Sequence, residues 1–204
     1  MALENTIGGK IICQGYIQKA KELAVEHNLV FHLDGARAFN AAIGRQVELA
    51  SITTQFDSVS LCLSKGLGAP VGSVLVSSRD TIDAAKHWRK MVGGGMRQAG
   101  VLAAAGLYAI NNNVLSLADD HRRAQRLAEG LAEIEGVVVH GGKAHTNMVY
   151  ISVEHDQGRD FLDACREQGL LFTGSKLLRL VVHNGIDDAM IERAISVVFE
   201  TMRA

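Results

Sequence analysis

The sequence predicts an α/β protein with a second, smaller α+β unit at its carboxyl end. Three observations predict it. Over the first half, helical patterns alternate with short apolar runs, as in strands joined by helices. Two of those runs end in a charged residue followed by glycine, in HLDGAR (residues 32–37) and LCLSKG (residues 61–66). At Asn111-Asn112-Asn113 the pattern breaks, and the elements beyond it come in a different order.

Taken in order, Ile17, Ala20, Leu23 and Ala24 fall on one face of a helix that His27 and Asn28 can end. Residues 29–33 form a short apolar strand running into Asp34-Gly35-Ala36-Arg37. Residues 59–63 are a second strand and residues 71–76 a third. Asp80 can cap the next helix, with Asp83 near its positive end. The run AGVLAAAGLYAI, residues 99–110, is apolar on every side, which predicts a buried helix. Beyond the asparagines, Leu117, Ala124, Leu127, Leu131 and Ile134 make the apolar stripe of a long amphipathic helix that Gly136 ends. Strands at residues 137–140 and 148–153, a helix at 159–168, a strand at 177–183 and a helix from Asp187 complete the chain. The boundary falls near residues 113–117, dividing the chain into 1–115 and 116–204.

Composition excludes several classes. The 204 residues are 48% hydrophobic and 21% charged, ordinary for a globular protein with a core. A net charge of −1 gives no electrostatic basis for binding nucleic acid or an anionic membrane. No apolar run approaches the roughly 20 residues that span a bilayer, and MALENTIGGK lacks the layout of a signal peptide. Cys13, Cys62 and Cys165 are far apart and odd in number, which points to a reducing cytoplasm rather than a disulfide framework. The eight His include no HExxH pair, so no metal site is expected. HGGKAHT, residues 140–146, is no phosphate loop, because Val137 stands where its first glycine belongs. Gly66, Gly68 and Gly72 lack the GxGxxG spacing, and Ser64 lies in no GxSxG elbow.

The chemistry concentrates at two strand ends. Lys65 follows an apolar strand and precedes Gly66, Gly68, Pro70 (the only Pro in the chain) and Gly72. Ligands of open α/β sheets sit beyond the carboxyl ends of strands. A lysine with its stem in an apolar setting there can lose its proton and attack a carbonyl to make a Schiff base; the alternative is a solvated Lys in a turn. Asp34 ends another strand. A buried carboxylate there needs a partner, and a pyridinium nitrogen would suit it; the alternative is a turn residue before Gly35. Arg37, one turn onward, can donate to a phenolate or carboxylate. On the strand at 177–183, Arg179, Val181 and His183 share one face and Leu178, Leu180 and Val182 the other. Arg179 thus suits bidentate carboxylate binding, or else a solvated strand face.

HLDGAR (residues 32–37), SLCLSKGLGAPVGSVL (60–75) and WRKMVGGGMRQAG (88–100), with LENT (3–6) and RLVVH (179–183) in the same order, resemble the low-specificity L-threonine aldolases. The resemblance implies a fold-type-I, pyridoxal-phosphate-dependent enzyme of the aspartate-aminotransferase fold. Residues 1–115 would be the carboxyl-terminal part of its large cofactor-binding domain and 116–204 its small domain. By that resemblance Lys65 binds the cofactor covalently, Asp34 pairs with its pyridine nitrogen, Arg37 lies near its ring oxygen and Arg179 holds the substrate carboxylate. Lys90 and Arg97, in the GGGMRQ region, would reach a neighbouring subunit's cofactor phosphate, in a homodimer or homotetramer with shared sites; otherwise they are solvated helix-end charges. The implied reaction cleaves L-threonine or L-allo-threonine to glycine and acetaldehyde.

The resemblance also implies departures. The family carries a long segment ahead of LENT that supplies a phosphate loop, a ring stacked on the cofactor and a substrate-contacting His. IGGK, residues 7–10, replaces a longer His-containing turn. A three-strand remainder is expected to expose apolar faces and unpaired edges. The alternatives are a truncated, catalytically silent chain that pairs with another, or a different β-eliminating lyase on the same fold.

Overall fold

The computed structural model describes residues 1–153 and 158–203. It divides into two units, Met1–Leu117 and Ala118–Ala204.

The first unit runs β1 (Ala2–Glu4), α1 (Gln14–Glu26), β2 (His32–Asp34), α2 (Ala38–Arg45), α3 (Leu49–Thr53), β3 (Ser58–Cys62), β4 (Ser73–Ser77), α4 (Arg79–Met91) and α5 (Gly100–Asn112). Its sheet has the order β1-β2-β3-β4, with the first three strands parallel and β4 antiparallel to β3. Alternation along β3 explains both faces. Val59 is in register with Leu33 and Leu3, and this apolar row faces a core of Ile17, Ala24, Phe31, Ala38, Ala41 and Ile52. Ser60, Asp34 and Glu4 form the next row on the opposite, polar face. Phe31 packs on Phe56 with ring centroids 4.3 Å apart, and its N–H donates to the Asp57 carboxylate at 2.7 Å, pinning the start of β2 beside that of β3.

The second unit runs α6 (Leu117–Ala132), β5 (Val137–Val139), β6 (Met148–Val153), α7 (Gly158–Glu167), β7 (Leu178–Val181) and α8 (Asp188–Arg203). Its antiparallel sheet has the order β5-β6-β7. Ala124, Leu127, Ala128 and Leu131 of α6, Val149 and Ile151 of β6, Leu178 and Leu180 of β7 and Val197 and Val198 of α8 form one core. The stripe on α6 and the alternation on β7 are those expected from the sequence. Gly130 lets α8 come close, since a Cβ there would overlap Ile195. Asp187 caps α8 by accepting from the Met190 N–H at 2.8 Å.

Several expectations need correction. The sheet has four strands, not three, because Ala2–Glu4 joins it as β1. The strand expected at 29–33 is His32–Asp34, while Leu29 and Val30 are exposed, and Leu23 points to solvent rather than with Ile17 and Ala24. Ser78, not Asp80, caps α4, its hydroxyl accepting from Thr81 N–H, while Asp80 sits in the first turn. The largest correction concerns α5. Expected to be buried all round, it buries only Gly106 and Ala109, with Val101, Leu107 and Tyr108 exposed. α4 buries no residue, and most of β4 is exposed. Among the described residues no single helix is long and apolar enough to cross a membrane.

Candidate active site

Because β1, β2 and β3 are parallel, their carboxyl ends share one edge of the sheet. Glu4-Asn5-Thr6 leaves β1 there, Asp34-Gly35 leaves β2, and Ser64-Lys65 follows β3. The carboxylate and the amine singled out in the sequence therefore leave adjacent parallel strands at the same edge.

Local packing fixes each of them. Asp34 accepts from the Ala36 N–H at 3.1 Å, an Asx turn that opens the chain toward α2. Gly35 N–H donates to Ser60 O at 2.8 Å. A Cβ on Gly35 would lie 2.8 Å from that oxygen and 3.2 Å from Ala38 Cβ, so only glycine lets β2 end this close to β3. Arg37, half-buried, caps the start of α2 with its backbone. Lys65 stands between Leu63 and Leu67, both buried, and its carbonyl accepts from Gly68 N–H at 2.9 Å. Asn113 at the end of α5 donates through Nδ2 to Leu67 O at 2.7 Å, and Leu63 fills the space over Gly106. The glycine-rich turn is thus anchored on both sides of the lysine.

Two premises change. Asp34 and Lys65 were expected to be shielded from water, yet both are exposed. The leucines that flank Lys65 turn inward and leave its amine outward.

The polar atoms that are shielded lie one strand away. Asn5 and Thr6 are completely buried. Asn5 N–H donates to Asp34 O at 3.0 Å and its Oδ1 accepts from Ile12 N–H at 3.2 Å, but Asn5 Nδ2 and Thr6 Oγ1 have no partner among the described residues. A buried polar group left without a hydrogen bond costs about 1–3 kcal/mol. LENT marked these residues, but a sequence pattern carries no information on hydrogen-bond satisfaction. Cys62, which the sequence marks only as one of three scattered cysteines, also lies close to Lys65. Burial pushes its thiol up, but hydrogen bonding with Ser64 and Ser73 and the nearby Lys65 charge more than offset this and hold it below the usual thiol range.

The remaining candidates lie elsewhere. Lys90 is in the last turn of α4, its Nζ folded against Gly95, and Arg97 is on the exposed loop between α4 and α5. Arg179 belongs to the second unit. It is exposed on β7 and lines a cleft of about 500 Å³ with Leu171, Val181, His183, Ile186 and Met190.

Comparison with known proteins gives this geometry a context. A family model described as beta-eliminating lyase matches residues 1–154. The chain belongs to the beta-eliminating lyase family. This lyase-family chain is 45% identical over 183 residues to the low specificity L-threonine aldolase of Escherichia coli K12, a match covering 90% of the chain and 54% of that protein. It is 42% identical over 205 residues to low-specificity L-threonine aldolase 1 of Arabidopsis thaliana, covering 96% and 57%. It thus spans little more than half the length of these relatives. Among solved structures it superposes on Leishmania major threonine aldolase with TM-score 0.81 at 20% identity, over 98% of this chain and 60% of that one. On the serine palmitoyltransferase of Sphingomonas wittichii the TM-score is 0.78 at 20% identity, over 99% and 54%. The lyase-family chain therefore has the fold-type-I architecture.

Proposed function

We propose that this chain is part of a pyridoxal-phosphate-dependent lyase that cleaves L-threonine, L-allo-threonine and related β-hydroxy-α-amino acids. The observation that carries it is the departure of Asp34 and Lys65 from adjacent parallel strands at one edge. The residues fit the cofactor chemically. Lys65 offers an exposed primary amine to its aldehyde, Asp34 an exposed carboxylate to its ring nitrogen, and Arg37 a guanidinium to its ring oxygen. Asn5, tied by its backbone to Asp34, and Thr6 each keep an unpartnered buried polar atom where β1 ends.

Bound pyridoxal phosphate supplies a sink for the electron pair released when Cα–Cβ breaks. The protein's own tasks are then distinct. Asp34 keeps the ring nitrogen protonated, because a carboxylate favours a proton on its partner. Arg179 grips the substrate carboxylate with a planar fork and so sets which bond at Cα is aligned to break. In the balanced reaction the β-hydroxyl gives up its proton and becomes the carbonyl of acetaldehyde, while Cα gains a proton and becomes glycine. Lys90 and Arg97 are assigned to a cofactor phosphate across an interface, in a homodimer or homotetramer. Three free cysteines are consistent with the reducing cytoplasm as its compartment. Residues 1–115 are taken as part of the cofactor domain and 116–204 as the small domain.

Mixing purified protein with pyridoxal phosphate should give visible absorbance, and borohydride should then add the cofactor's mass to the peptide containing Lys65. Absence of that label, or its persistence in Lys65→Ala, removes the assignment. Acetaldehyde released from threonine, against pyruvate released from serine, separates the aldolase from a β-eliminating lyase. A second reading, a catalytically silent chain that pairs with another polypeptide, draws on the exposed apolar side chains of β4, α4 and α5. It predicts no colour from this chain alone.

A further inference from the structure

Arg179 sits on β7, an edge strand of the sheet β5-β6-β7, in register with Tyr150 of β6. Its backbone N–H donates to Thr173 O at 2.8 Å, and its carbonyl accepts from the Thr173 hydroxyl at 3.2 Å. In an antiparallel strand the N–H and C=O of one residue point to the same side, so both groups face the edge away from β6. An edge strand ordinarily presents such groups to water; at Arg179 a single residue takes up both.

The residues around Thr173 hold it in place. Thr173 and Arg179 form an antiparallel bridge outside the named strands. Gly174, at φ +117°, turns the chain back toward β7, and a Cβ there would overlap the Leu177 carbonyl. Phe172 stacks on Phe161 of α7 with ring centroids 5.8 Å apart and packs against the core of the unit. Thr173 also lines the same cleft as Arg179. The Arg179 side chain is exposed, so its aim rests on the backbone from which it projects. A guanidinium binds a carboxylate with both arms only in a defined geometry, and a misplacement of about 1 Å can cost about 100-fold in rate.

Resting on the function proposed above, we infer that Thr173 is a positioning residue: its hydroxyl and carbonyl clamp the backbone of Arg179 on the open edge of β7 and so aim the guanidinium at the substrate carboxylate. Thr173 acts through Arg179 and moves no proton.

The test compares Thr173→Val, which removes the hydroxyl and keeps the shape and the carbonyl, with Thr173→Ser, which keeps both hydrogen-bonding groups. Amide hydrogen exchange at Arg179 reads the clamp without any ligand. Exchange should be roughly 3- to 10-fold faster in Thr173→Val, as for one lost hydrogen bond, and Thr173→Ser should restore the wild-type rate. With pyridoxal phosphate added, the threonine concentration for half-maximal acetaldehyde release should rise roughly 10-fold in Thr173→Val. Affinity for pyridoxal phosphate should not change, and Thr173→Ser should again restore the wild-type value. In an Arg179→Ala background Thr173→Val should add nothing, because the group it aims has gone. Unchanged Arg179 exchange in Thr173→Val, or an unchanged threonine requirement, overturns the inference while the functional reading stands. A further loss in the Arg179→Ala background also overturns it, making Thr173 a substrate contact in its own right. A lower melting temperature with an unchanged threonine requirement makes the hydroxyl structural only, which overturns it as well. Failure of the wild type to take up pyridoxal phosphate, or to release acetaldehyde, removes the functional reading and this inference together.

Discussion

Gly35 is the residue on which the spacing of the site depends. The Ser60 carbonyl and Ala38 Cβ crowd the position a side chain would take, and neither belongs to a flexible side chain that can swing away. Gly35→Ala should therefore destabilise the chain by about 1–3 kcal/mol, read as a lower urea midpoint; an unchanged midpoint would show that β2 and β3 can separate without cost. Arg179 makes a contrasting case. It is exposed on its strand, so replacing it should leave folding nearly untouched, with a change within about 0.5 kcal/mol. Arg179→Lys in the active enzyme should nevertheless raise the threonine concentration needed for half-maximal rate, since a point charge does not replace a bidentate fork. Residue identity alone revealed Lys65, Asp34 and Arg179 as chemically unusual, because charge at an apolar strand or its end stands out. It did not reveal that Asn5 and Thr6 are unsatisfied, since that depends on what every neighbour donates and accepts.

At the scale of elements, α5 shows the limit of reading hydropathy. Apolar residues on all sides say that the helix suits an apolar environment, not that the same chain supplies one. With Val101 exposed, Val101→Glu should shift the urea midpoint by no more than about 0.5 kcal/mol; a loss of several kcal/mol would mean that the face is covered in the folded protein. α2 and α3 escaped notice for the opposite reason. The buried side of α2 is Ala38, Ala41 and Ala42, with too little hydrophobic contrast to mark a period. α6 carries a balance of its own. Burial pushes the Asp120 carboxyl up to about 6 and pushes the His121 imidazole down to about 4. Between those values the folded chain keeps a proton on Asp120 that the unfolded chain has lost, so that contribution to stability falls as pH rises. His121 is protonated only in the unfolded chain over the same range, so its contribution grows as pH rises. The two slopes oppose each other. Asp120→Asn should unmask a stability that falls on acidification from about pH 6.5 to 4, and His121→Gln one that falls as pH rises from about 4 to 6. Urea midpoints across this range check both, and a flat profile for either variant would count against its assigned titration.

For the whole molecule, the two units have separate cores: Leu33, Phe31 and Ile52 in one, Leu131, Ile151 and Val198 in the other. Calorimetry should accordingly resolve two transitions rather than one, and a single transition whose calorimetric and van't Hoff enthalpies agree would show that they unfold as one. By itself the sequence determined the periodic elements and the unusual side chains. The stripe from Leu117 to Leu131, the alternation of Leu178, Leu180 and Val182, and the strand at Met148–Val153 follow from local side-chain spacing, which is written along the chain. It also determined that Asp34 ends a strand and that Lys65 enters a glycine-rich turn. Only the tertiary structure decided that β1, β2 and β3 lie parallel and adjacent, bringing Asn5, Asp34 and Lys65 to one edge, and that Asp34 and Lys65 face water while Asn5 and Thr6 do not. Strand pairing and burial join residues some 30 positions apart, and no local periodicity encodes which distant segment will supply a neighbour or a hydrogen-bond partner.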